Sequence, residues 1–141
     1  MKLFNHVQIK VKDLERSRKF YDPVMEALGY QVVLEMNDVV IGYGTTVHDM
    51  FEIRKFDEES PLSAHVHVAF NASRKESVDA FYRSALANGG KCNGEPGFRP
   101  EYEEGYYAAF VIDPDGHNIE AVFSESNSCD LLIVSGKPQA L

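Results

Sequence analysis

The chain repeats itself once, and that repeat restricts its fold more than any other feature. The stretch "HVQIKVKDLERSRKFYDPVMEALGY" from His6 aligns without a gap on "HVAFNASRKESVDAFYRSALANGG" from His67, so that His6 matches His67, Phe20 matches Phe81, Tyr21 matches Tyr82 and Gly29 matches Gly90. All four pairs share an offset of 61 positions, which argues for a duplicated unit.

Each unit opens on an alternating strand. Val7, Ile9 and Val11 oppose His6, Gln8 and Lys10, and Val66, Val68 and Phe70 oppose His65, His67 and Ala69. A helix is expected next in both. In the second unit Ser73 and Glu76 have capping-box spacing, Val78, Phe81, Tyr82, Ala85 and Leu86 form a 3.6-period stripe, and Gly89 and Gly90 supply the stop. In the first, Leu14, Ser17, Tyr21, Val24 and Leu28 make a thinner stripe, and Pro23 is expected to divide it into two helices before Gly29. Strand-like runs follow at Tyr30 to Glu35, Val39 to Tyr43 and Asp49 to Lys55, with counterparts around Lys91, at Tyr106 to Ile112 and at His117 to Phe123. Each half is therefore β-α-β-β-β, an α+β class. A four-stranded sheet with one helical face cannot bury both sides, so two paired modules should form a curved eight-stranded cup with helices outside. One domain over residues 1-124 is expected, with modules at 1-60 and 61-124 and a tail at 125-141 whose "DLLIV" suits an edge strand or a partner-covering segment.

Charge excludes some partners. Fourteen Lys and Arg against 22 Asp and Glu give a net charge of -8, with no basic stripe, which argues against nucleic acid. The first 20 residues are too charged for a signal peptide, and no apolar run reaches membrane-spanning length, so a cytoplasmic protein without a membrane partner is expected. Cys92 and Cys129 fit no disulfide or metal spacing, in keeping with a reducing compartment.

The alternation assigns faces. If Val7, Ile9 and Val11 face the helices, His6, Gln8 and Lys10 face the cup, and so does His67 in the second half. In "MFEIRK" Glu52 and Arg54 oppose Phe51 and Ile53, and in "NIEAVF" Glu120 opposes Ile119 and Ala121. Each half thus offers one His from its first strand and one Glu from its last. Two imidazoles and two carboxylates suit a divalent zinc, nickel, cobalt, manganese or iron ion, with positions left open for a substrate. Such an ion would polarise adjacent substrate oxygens and stabilise an enediolate, with Glu120 or Glu52 as the base. His65 lies about 6.6 Å along the same face from His67, too far to share an ion comfortably. His117 and His48 are expected to be solvated.

The "HVQIKVKDLERSRKFY" opening, the "HVHVAF" strand and the "AFVIDPDGHNIEAV" ending resemble the vicinal oxygen chelate superfamily, which includes glyoxalase I, extradiol dioxygenases and bleomycin-sequestering proteins. The resemblance covers roughly Phe4 to Phe123. It implies the paired fold, and it puts the metal-ligand set of glyoxalase I on His6, Glu52, His67 and Glu120. Lys10 stands where glyoxalase I has a glutathione-binding Arg, and Phe56 where it has an Asn, departures that count against glutathione. A homodimer is the implied assembly, since some short relatives build one site from two chains. The leading expectation is a metal-dependent, glyoxalase-like lyase or isomerase acting on a small oxygenated molecule. Its rivals are a metal-free binding protein of the bleomycin-resistance type and an extradiol-type dioxygenase, which would use two His and one Glu.

The His-to-Glu separation is 46 residues in the first half and 53 in the second, which places about seven extra residues in the Gly94 to Gly105 segment. This segment carries Arg99 and leads into Tyr106 and Tyr107. Arg99 and Tyr107 are substrate-binding candidates, with Lys10 and Arg54 as further cations inside the cup. The competing reading makes the segment a plain connection whose Arg99 pairs with Glu95, Glu101, Glu103 or Glu104.

Overall fold

A computed structural model describes residues 3–125. The elements run β1 (His6–Val11), α1 (Leu14–Ala27), β2 (Gln31–Met36), β3 (Val40–Thr46), β4 (Asp49–Lys55), β5 (His67–Asn71), α2 (Lys75–Ala87), β6 (Lys91–Phe98), β7 (Tyr106–Ile112) and β8 (Asn118–Ser124). The eight strands form two sheets, ordered β1-β4-β3-β2 and β5-β8-β7-β6. The first and last strands of each half are parallel neighbours, as the duplicated pattern requires. The "DLLIV" segment lies outside the described residues.

Alternation along the strands fixes which side is core. Ile9, Val11, Phe51, Ile53, Phe70, Val111, Ile119 and Ala121 are buried together with Phe20, Tyr21, Val24, Val78 and Phe81 from the helices, so both modules contribute to one hydrophobic cluster. Phe51 of β4 meets Phe70 of β5 edge-on at 5.0 Å, and α1 packs directly on α2. Within the chain the modules are thus joined through helices and core side chains, and no hydrogen-bonded ladder links the sheets among the described residues.

Three local expectations change. Pro23 does not divide α1, which runs unbroken on both sides of it. The hydrogen bond that Pro23 cannot donate is outweighed by burial of Val24, Met25 and Leu28 beyond it, each about 1.5–3 kcal/mol. Ser73 does not cap α2: Arg74 is the N-cap and makes no side-chain capping bond, although Glu76 does sit in the first turn. The Gly94 to Gly105 segment is not all loop, since β6 continues to Phe98 with its register against β7 broken on either side of Gly94.

The helix ends refine the repeat. Gly29 follows α1 at φ +87°, but the residue in that left-handed state after α2 is Gly89, at +94°, because α2 is one residue shorter. Gly90 is small for another reason: a Cβ there would stand 2.7 Å from Phe20 Cε2 and 2.8 Å from the Ala85 carbonyl oxygen.

Candidate functional site

The second sheet assembles its half of the site completely. In the parallel β5–β8 ladder His67 lies beside Asn118 and Ala69 beside Glu120, so His67 and Glu120 share a face. His67 Nε2 is 3.1 Å from Glu120 Oε2. The carboxylate is buried, at 3% exposure, while the imidazole side chain stays 49% open to solvent. The other carboxylate oxygen, Oε1, accepts from the Tyr106 hydroxyl at 2.5 Å, and His67 Nδ1 is turned to the Asn118 carbonyl at 3.1 Å. Burial first, and then this bond to Glu120, push the Tyr106 hydroxyl well above its ordinary pKa.

The first sheet has the same ladder but different contacts. Gln8 is beside Glu52 in the β1–β4 ladder, and Glu52, at 5% exposure, accepts from Gln8 Nε2 at 2.7 Å. Lys10 donates in turn to the Gln8 side-chain oxygen. His6 is exposed and its Nδ1 meets Asn5 Oδ1 at 2.9 Å. Across the ladder from each glutamate the halves differ, with Gly42 opposite Glu52 and Phe110 opposite Glu120.

A buried carboxylate costs several kcal/mol unless it is bonded or paired, and each glutamate here has one oxygen held, by Tyr106 or by Gln8, with the second oxygen of Glu120 meeting His67. The donor chemistry fits a divalent ion. Two cis ligands at about 2.1 Å from an octahedral ion stand about 3 Å apart, close to the His67–Glu120 separation. Within one chain, however, the four expected ligands do not converge, and no group of three or more His, Cys, Asp or Glu among the described residues is placed to hold a metal. Only His67 and Glu120 meet; His6 is turned to Asn5 and Glu52 to Gln8, on the other sheet. A cleft of about 600 Å³ is lined by Val7, Met50 and Phe51 of the first module and His67 and Phe70 of the second, but by neither glutamate.

The remaining candidates separate. Arg54 is beside Lys10 in the ladder and lies 3.6 Å from Asp57. Tyr107 is not at the cup: alternation turns it to the helix side, where its hydroxyl donates to Asp79 of α2 at 2.6 Å. Arg99 stacks on Phe110, with its guanidinium carbon 5.6 Å from the ring centroid. His48 is exposed as expected, and His65 precedes β5 in a left-handed conformation, at φ +51°. His117 is fully buried rather than solvated, because β8 starts beneath the entry to β5, and its Nδ1 accepts from the Val66 amide at 3.2 Å. Gln8 and Tyr106 are the residues that face-by-face reading undervalued, although each shares its glutamate's face.

The glyoxalase/bleomycin resistance protein/dioxygenase superfamily model matches residues 3–121. Among solved structures, a glyoxalase/bleomycin resistance protein from Albidiferax ferrireducens is 34% identical over 86% of this chain and 98% of its own, with a TM-score of 0.73. A glyoxalase-related enzyme from Fulvimarina pelagi (20%, covering 88% and 89%, TM-score 0.66) and a lactoylglutathione lyase from Agrobacterium tumefaciens (18%, 86% and 93%, TM-score 0.62) share the fold. A comparison with curated proteins gave no match. With two β-α-β-β-β modules, eight strands in two sheets and a family match over most of its length, the chain belongs to the glyoxalase/bleomycin resistance protein/dioxygenase superfamily.

Proposed function

We propose that this chain is a cytoplasmic, divalent-metal enzyme of the glyoxalase type acting on a small oxygenated substrate. Its site takes His6 and Glu52 from one copy and His67 and Glu120 from another, in a homodimer. The observation that carries the reading is the 3.1 Å approach of His67 Nε2 to Glu120 Oε2, on a carboxylate buried among apolar neighbours. The equivalent placement of Glu52 supports a second, matching half, and the separation of the two halves within one chain supports their union between chains.

A bound ion would polarise adjacent oxygens of the substrate. The chain's own groups then divide the remaining work. Tyr106 and Gln8 each hold one carboxylate oxygen and so aim the other, and Glu120 or Glu52 accepts the proton released next to the polarised oxygen. Lys10 is occupied by Gln8, which agrees with a substrate other than a glutathione adduct.

Metal content of protein purified without chelator tests this reading. Near-stoichiometric metal, lost in Glu120→Gln and accompanied by a rise in thermal stability when zinc or nickel is added to the stripped protein, is expected. Substoichiometric metal with no thermal response would leave the sequestering role instead.

A further inference from the structure

Arg99 occupies a socket that the chain has shaped for it. The β6–β7 register breaks between Cys92 and Gly94 and again between Gly94 and Gly97, which frees the Gly94–Gly97 backbone from a regular ladder. A Cβ at Gly97 would lie 3.0 Å from Arg99 Nη1, and one at Gly94 would lie 3.4 Å from Nη2 and 3.0 Å from the Phe110 ring. A side chain at Gly97 would press on the guanidinium, and one at Gly94 on the Phe110 ring beneath it. The guanidinium rests there with Nη2 donating to the Glu95 carbonyl at 2.6 Å and Nη1 to the Phe98 carbonyl at 3.4 Å, over the face of Phe110. The Arg99 amide is also fixed, by the Tyr106 carbonyl at 2.7 Å.

The expected alternative was an ion pair with a nearby glutamate. Arg99 instead makes its bonds to main-chain carbonyls, and Glu103 accepts from Ser124 Oγ at 3.2 Å. Neutral carbonyls orient a guanidinium without cancelling its charge. Its remaining N–H groups keep the fork geometry that takes a carboxylate through two parallel bonds.

Position gives the socket a purpose. Phe110 lies directly across the ladder from Glu120, and its ring is stacked at 20° on the His67 imidazole with centroids 6.3 Å apart. His67, Phe110 and Arg99 therefore form a row on the cup face. We propose that Arg99 binds a carboxylate group of the substrate, one aromatic ring away from the His67–Glu120 pair. The substrate class is then a small molecule with a carboxylate at one end and vicinal oxygens at the other. The carboxylate end rests on the socket alone, and only the oxygen end depends on the metal reading above. The first half has Gly42 where the second has Phe110, so the row is built once per chain.

Calorimetric titration of the full chain with pyruvate, 2-oxoglutarate and benzoate, each beside its uncharged amide or ester, tests the proposal. At least one carboxylate is expected to bind while its neutral counterpart does not, with a loss of roughly tenfold or more in Arg99→Met. Gly97→Ala keeps the charge but crowds Nη1, so it should weaken the same ligand by a smaller factor and serves as the second variant if Arg99→Met fails to fold. Failure of the whole panel, equal binding of acid and neutral analogue, or unchanged affinity in both variants overturns the proposal. Carboxylate binding by protein that takes up no metal upholds the socket and sinks the metal reading. Metal uptake without carboxylate binding does the reverse.

Discussion

The Tyr21 hydroxyl donates to Asp113 Oδ2 at 2.5 Å, tying the helix of the first module to the last hairpin turn of the second. The other oxygen, Oδ1, accepts the amides of Asp115 and His117, and the neighbouring Asp115 carboxylate takes Arg16 Nη2 at 2.9 Å and Ser17 Oγ at 3.3 Å. The Asp113-Pro114-Asp115-Gly116 turn is therefore a clamp between modules. Tyr21→Phe would leave a buried carboxylate oxygen without its donor, and should cost about 2 kcal/mol, read as a lower urea midpoint at unchanged slope.

The same tyrosine gives a pH dependence with a definite sign. Burial first, then the Asp113 charge and hydrogen bond, hold the Tyr21 hydroxyl well above its ordinary value of 10.0. Above that pH the unfolded chain has released a proton that the folded chain keeps, so stability falls as pH rises. The contribution is fully present below pH 10 and is lost progressively above it, as pH climbs toward the folded value. Unfolding measured from pH 8 to 11.5 should show the difference between wild type and Tyr21→Phe shrinking above pH 10.

Tyr106→Phe should weaken metal binding without abolishing it. The hydroxyl holds Glu120 Oε1 and so aims Oε2 toward His67, and loss of such an orienting bond typically costs 10- to 100-fold in affinity. Competition against a fluorescent chelator measures this. Wild-type affinity in Tyr106→Phe would remove the positioning role, while Glu120→Gln is expected to lose binding altogether.

The adjacent glycines after α2 should respond differently to alanine. Gly89 has open space around its would-be Cβ but sits at φ +94°, so Gly89→Ala should cost about 1 kcal/mol through backbone conformation alone. Gly90→Ala drives a methyl group into a carbonyl oxygen and the Phe20 ring, and should cost about 3 kcal/mol. Denaturant melts of the two variants decide, and equal losses would overturn the distinction.

The duplication and the strand faces were legible in the sequence because each depends on a period of two or on a fixed offset. The expected meeting of His6 with Glu52 is not seen, since His6 bonds Asn5 and Glu52 bonds Gln8. His67 and Glu120 meet as the alternation implies. What escaped depends on partners remote in sequence. Tyr107 is claimed by Asp79, 28 positions away, and its neighbour Tyr106 turns to the cup because strand parity, not residue type, decides between them. His117 is buried beneath the entry to β5, where it bonds Val66, 51 positions away, and Pro23 remains helical because the core beyond it holds the helix. That His6 and Glu52 stand apart from His67 and Glu120 within one chain could not be found by face assignment, which orients side chains within a sheet but says nothing of how two sheets meet.

That each sheet carries its own His and Glu makes the site open to genetic complementation. In the proposed homodimer, a chain with Glu52→Gln and a chain with Glu120→Gln would each lose metal binding alone, since every site in either homodimer would lack one ligand. Mixed dimers would collect both lesions in one site and leave the other whole. Random reassortment of equal amounts should then restore about a quarter of the wild-type metal sites. A protein that closed its site within one chain would restore none, so two inactive preparations combined in one tube report which copy owns which half.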